Sequence, residues 1–241
     1  MSDEVVGAET DSEPSLRDKS DAWTDLGLTL PVFVLYHLGV VFLPIRNAAD
    51  PVTTELRGLA NQSLLEYAGL TVAIGTAFVL VLYLLGRGHA FRGWRFALVF
   101  AEALLYAAVM RGAGNWVLGS LPLAKASAVD SAFSGTVMSL GAGFYEELMF
   151  RVLLFGVGSW VIKAIVGKGP TGLFLLLFWA TASALLFSAW HYIGPLADPW
   201  DARSFAYRAT CGFVLAIIYA TRGFAPAVWT HALYDIWAMV F

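Results

Sequence analysis

The feature that most constrains this chain is a succession of apolar runs, each about as long as a membrane is thick. A hydrocarbon core of roughly 30 Å takes about 20 apolar residues per helix to cross. Runs of that length recur from Trp23 onward, with no long polar segment between them. In lipid every backbone N–H and C=O must be satisfied within its own segment, so such runs are read as helices. They are Trp23 to Ile45, Leu65 to Leu85, Trp94 to about Leu118, Phe133 to about Val166, Thr171 to Tyr192, Phe205 to Ala220 and Phe224 to Phe241. The expectation is an all-α, polytopic transmembrane bundle of about seven spans (six to eight by the margins of the boundaries), forming one membrane domain over 23–241. The run from Phe133 to Val166 is too long for one upright span at about 1.5 Å per residue. It is read either as one strongly tilted helix or as two pieces hinged near Gly156 and Gly158. Composition agrees: 59% of residues are hydrophobic and 14% charged, against about 45–50% and about 25% in soluble domains.

Residues 1–22 stand apart as an acidic tail. Asp3, Glu4, Glu9, Asp11, Glu13, Asp18 and Asp21 face only Arg17 and Lys19. No basic region precedes the first apolar run, which argues against a cleavable secretory signal. The tail holds too little apolar surface to fold alone and reads as disordered. Cys211 is the single cysteine, so no intrachain disulfide forms. No cluster of Lys and Arg suggests nucleic acid as a partner. With seven spans the tail shares a side with Arg87, Arg92, Arg95, Lys163, Lys168 and Arg222, eight basic residues in all. The other side has six: Arg46, Arg57, Arg111, Lys125, Arg203 and Arg208. The positive-inside rule then sets the N-terminus in the cytoplasm of a multi-pass cell-membrane protein. Trp23, Trp94, Trp116, Trp190, Trp200 and Trp229 fall near span ends, as an interfacial aromatic belt requires.

An ionisable side chain at membrane depth costs at least about 2.5–3.5 kcal/mol, so those that persist need a reason. Three motifs in the second half stand out: Glu146-Glu147-Leu-Met-Phe-Arg151, Phe187-Ser-Ala-Trp-His191, and His231-Ala-Leu-Tyr-Asp235 with Pro226 before it. Asp130 reads as loop. Glu147 and Arg151 are four apart and lie on one helix face, where they pair. Glu146 is rotated by about 100° from Glu147 and has no such partner. Ser139 and Gly143, small and four apart, let a neighbouring helix come close. His231 and Asp235 again share a face, and His191 comes from another segment. The bland reading of each is structural: an ion pair for Glu147 and Arg151, an interfacial hydrogen bond for His191 between Trp190 and Tyr192. Their co-occurrence in one hydrophobic chain favours chemistry. Such a set activates water by general-base catalysis, or equally ligates a divalent metal such as zinc.

The ordered set Glu-Glu-x-x-x-Arg, Phe-x-x-x-His and His-x-x-x-Asn/Asp resembles the CPBP family, the CAAX-processing and bacteriocin-processing (Abi) intramembrane proteases. The resemblance covers residues 132–241, and the first half agrees in hydropathy alone. It implies a membrane-embedded endopeptidase that cuts near the C-terminus or leader of a protein or peptide substrate at the bilayer. It further implies that Glu146 activates the attacking water with His191, and that His231 and Asp235 face the scissile carbonyl. Glu147 and Arg151 would hold the helix, and Phe187 would shape the site. No cofactor is predicted, with zinc left open. Asp235 departs from the commoner Asn: it is protonated by burial, or it orients His231, or it binds a metal.

Other readings have less in their favour. The sequence lacks His-Glu-x-x-His, Gly-x-Gly-Asp and Gly-x-Ser-x-Gly, which weakens zinc-pair, aspartyl and serine mechanisms. A non-catalytic membrane scaffold or immunity protein has no need to keep Glu146, His191 and His231 together. A proton-coupled transporter would favour symmetry between halves, and none is evident. One geometric conflict follows from the span order. His191 ends a span while His231 lies about two turns into a span running the same way, which sets them roughly 20 Å apart in depth.

Overall fold

A computed structural model describes residues 22–44, 46–61, 63–85, 93–119, 131–194 and 197–240. The acidic tail, the loop holding Arg87 and Arg92, and the connection holding Pro122, Lys125 and Asp130 lie outside the described residues. Within them the chain is helical and has no strand. The order is α1 (Ala22–Val40), α2 (Val52–Leu59), α3 (Leu64–Leu85), α4 (Trp94–Leu118), α5 (Ala132–Gly141), two π-helical stretches (Ala142–Glu146 and Leu148–Gly156), α6 (Val157–Val166), α7 (Pro170–Trp190), α8 (Ala202–Arg222) and α9 (Phe224–Val240). Among the described residues five helical runs are long and apolar enough to cross a membrane, with α1 a shorter apolar helix beside them. Large apolar side chains are exposed along them, Leu65, Val79 and Leu80 on α3 and Leu173, Phe174 and Leu177 on α7 among them. A soluble monomer rarely leaves so much contiguous apolar surface open.

The residues from 132 to 166 form one helical run of 35 residues. It does not hinge at Gly156 or Gly158; its middle winds as π-helix instead, a form otherwise seen mostly as single turns. Gly143 lies in that stretch, against α9. A Cβ there would stand 2.8 Å from the Cβ of Ala232 and 2.8 Å from the carbonyl oxygen of Val228. Ser139, one turn earlier, is fully buried. The small-residue spacing marks a close helix crossing, as read from the sequence.

α9 is the central element and packs on α1, α4, α5, α8 and the π stretches. α1 is tied to its start. The Phe224 N–H donates to Asp25 Oδ2 at 2.7 Å, and the indole of Trp229 donates to the carbonyl of Leu28 at 2.9 Å. The half-buried Trp229 ring also packs edge-on against Phe96 and Phe100 of α4. The sequence also gave no sign of α2, a short helix in the connection between the first two spans.

The 20 Å conflict between His191 and His231 dissolves in the register of α7 against α9. The rings of Phe187 and His231 are 5.8 Å apart, so these residues are level. Phe187 comes 17 residues after the start of α7 and His231 seven after the start of α9. α7 thus begins ten residues, or about 15 Å, beyond the start of α9. The span order had assumed that helix ends are coplanar, and this displacement brings His191 to within one turn of the level of His231.

Candidate active site

Glu146 and Glu147 are both buried and diverge to different partners. Glu147 meets Arg151, whose Nε lies 3.1 Å from Glu147 Oε2, and both side chains are fully buried. This is the four-residue pair expected from spacing. Glu147 does more than pair along its own helix: its Oε1 accepts from His231 Nδ1 at 2.8 Å. A carboxylate only accepts, so Nδ1 carries the proton. On the far side of the ring, His231 Nε2 stands 3.4 Å from Asp235 Oδ2. His231 is held between two carboxylates, one close and one loose.

Glu146 faces the other way. Its Oε1 accepts from Asn47 Nδ2 at 2.8 Å. Its Oε2 makes no hydrogen bond among the described residues and lies 3.8 Å from His191 Nε2. The fixation of His191 follows from the end of α7. A continuing helix would bond the His191 N–H to the Phe187 carbonyl, four residues back. Here the chain turns, and the His191 N–H donates to Ser188 instead, at 3.2 Å. The Phe187 carbonyl is left to accept from His191 Nδ1 at 3.0 Å. That bond sets the tautomer of a neutral ring: Nδ1 holds the proton and Nε2 presents its lone pair towards Glu146.

Phe187 is the wall between the two halves. Its ring contacts His191 at 5.1 Å, His231 at 5.8 Å and Phe150 at 5.3 Å between centroids, with the Arg151 guanidinium 4.6 Å from its centre. Gly212 of α8 lets this ring seat, since a Cβ there would meet Phe187 at 2.9 Å.

All seven residues singled out in the sequence therefore converge, in two groups: Glu146 with His191, and Glu147 with Arg151, His231 and Asp235, joined through Phe187. Residues 128–237 match the family model of the type II CAAX prenyl endopeptidases, Rce1-like. The match takes in all three motifs and is to the CAAX-protease family. No curated protein and no solved structure matches the chain. Together with the long apolar helices, the match to the CAAX-protease family model points to an integral membrane protein with a protein or peptide substrate at the membrane.

Part of the surroundings of the CAAX-protease motifs comes from the first half, where sequence reasoning saw only hydropathy. Besides Asn47, the ring of His37 lies between the hydroxyls of Tyr145 at 2.6 Å and Tyr67 at 3.0 Å. The rule that flagged the other histidines, an ionisable group inside an apolar run, applies equally to His37 and would have found it. Asn47 offered no such signal, because an asparagine in the connection Arg46-Asn-Ala-Ala-Asp50 reads as ordinary loop.

Proposed function

We propose that the chain is an intramembrane endopeptidase of glutamate type, hydrolysing a peptide bond near the C-terminus or in the leader of a membrane-associated substrate. The observation that carries this reading is the pairing of Glu146 Oε2 with His191 Nε2 at 3.8 Å. Both atoms are acceptors and so do not bond each other, and at this separation one water can donate a proton to each. Glu146 takes one proton as the water oxygen attacks the scissile carbonyl, and the C–N bond then breaks as that proton passes to the departing amine. His191, kept in place by Phe187, orients the water.

The charge that develops on the carbonyl oxygen needs a donor. Held between the carboxylates of Glu147 and Asp235, His231 serves as an imidazolium with a proton on each nitrogen: Nδ1–H is committed to Glu147, and Nε2–H, only loosely opposed by Asp235, is the donor that serves. Asp235 then acts on His231 rather than on substrate. Glu146 and His191 offer two protein ligands for a divalent ion, and among the described residues no third His, Cys, Asp or Glu joins them. Met149, Phe150, Leu153, Leu186, Trp190 and Ile193 line a shallow apolar groove between the π stretch and the end of α7, which suits a substrate that arrives from the bilayer.

The test is cleavage of co-expressed membrane-anchored candidates by wild type and by Glu146→Ala, with folding checked by monodisperse extraction in detergent. Loss of cleavage in a folded variant supports the reading, and a chelator series then separates water activation from metal. Equal processing by Glu146→Ala ends the assignment of Glu146 as base.

A further inference from the structure

Asn47 lies in the connection between α1 and α2, well outside the residues that carry the family match. The geometry points to Asn47 as a positioning residue for Glu146, which fixes the carboxylate so that one defined oxygen, Oε2, acts as the base. This rests on the reading of Glu146 as the base.

The orientation of the amide is settled by its second contact. The Ala49 N–H donates to Asn47 Oδ1 at 2.8 Å, so Nδ2 is the atom that faces Glu146 Oε1 at 2.8 Å. A donor at that place suits a carboxylate. The backbone that presents the amide is held from several directions. The Asn47 N–H donates to the Tyr36 hydroxyl at 3.2 Å, and that hydroxyl donates to Asp50 Oδ2 at 2.8 Å. Asp50 Oδ1 accepts from the N–H groups of Val52 and Thr53, at 2.8 and 3.0 Å, and so caps α2. Tyr36, Asn47, Asp50 and Thr53 are all buried. On the other side of Glu146, its chain neighbour Tyr145 is gripped by His37 of α1. The first half thus holds the π stretch at two adjacent residues.

A buried carboxylate with neither oxygen fixed turns about its last bond and presents either atom to water. With Oε1 bonded to Asn47, only Oε2 remains, and it is the oxygen nearest His191. Hydrogen bonds to charged groups of this kind are among the stronger ones in proteins.

The competing role is that Asn47 merely closes the loop through its bond from Ala49. Asn47→Asp separates the two, because the aspartate keeps the acceptor for Ala49 and replaces the donor to Glu146 with an oxygen. An ionised aspartate repels Glu146, and a protonated one shares its proton with the base; kcat falls in both cases. Asn47→Leu, of similar volume and without a donor, is the second variant should the first not fold. The expected result is a kcat lower by roughly 10- to 100-fold in either variant, with KM within about twofold of wild type, in protein that still extracts as a monodisperse species and unfolds cooperatively. Wild-type kcat in a folded Asn47 variant, while Glu146→Gln is inactive, overturns the role of Asn47 and leaves Glu146 as base. Activity in Glu146→Gln overturns the reading of Glu146 itself.

Discussion

Glu147 and His231 meet at 2.8 Å across the interface between the π stretch and α9. The contact turns a pair within one helix into a tie between two, since the same carboxylate also neutralises Arg151. Breaking a buried pair by removing one partner costs about 3–5 kcal/mol, whereas removing both charges is far milder. Arg151→Leu is therefore expected to lower the unfolding midpoint sharply, and adding Glu147→Gln to it to restore part of the loss. Thermal unfolding in detergent measures both, and a double variant no more stable than Arg151→Leu refutes the account.

His191 is held by its Nδ1 and works through its Nε2. His191→Phe keeps a flat ring against Phe187 and removes both nitrogens. Turnover of a cleaved substrate is expected to fall by about 100- to 10,000-fold, the usual scale of acid–base assistance, with KM little changed. A variant within tenfold of wild type would remove His191 from the chemistry.

Asp235 stands 3.4 Å from His231 Nε2, longer than an ordinary hydrogen bond. Asp235→Asn keeps an oxygen that can accept from that nitrogen and withdraws a negative charge from beside the developing oxyanion. We expect activity to be retained within about tenfold. Complete loss, measured as single-turnover cleavage, would show that the charge itself orients His231 or holds a metal.

Gly143 tests the packing that brings the two groups together. In a free helix Gly→Ala gains up to about 1 kcal/mol. Here the added methyl would press on Ala232 and on the backbone of Val228, and overpacking costs typically about 1–3 kcal/mol. The contact wins, so Gly143→Ala lowers both stability and cleavage. Stability at or above wild type would mean that α9 yields freely.

Much of this was legible in the sequence because the bilayer is a demanding solvent. Apolar runs gave the helices to within a few residues, and Glu146, Glu147, Arg151, His191, His231 and Asp235 stood out for being expensive where they are. Register was not legible. Nothing in the run from Thr171 to Tyr192 says that α7 is displaced by about 15 Å along α9, for that depends on how Gly212, Phe187 and Ala184 pack. Asn47 escaped for a related reason: polar residues in connections are unremarkable until the connection folds inward, and this one does so through Tyr36 and Asp50, partners 11 residues before it and three after.

The wide winding between Ala142 and Gly156 carries a consequence for any attempt to move this chemistry elsewhere. A solitary peptide of residues 132–166 inserted in lipid has nothing to hold it open and would relax to the tighter α form, turning the two glutamates relative to each other and to Arg151. The spacing Glu-Glu-x-x-x-Arg is then a necessary string of letters without a fixed shape. Its shape is lent by neighbours: Ala232 and Val228 on one flank, His37 and Asn47 on the other. Grafting the motif onto a foreign bundle would transplant the letters and leave the shape behind.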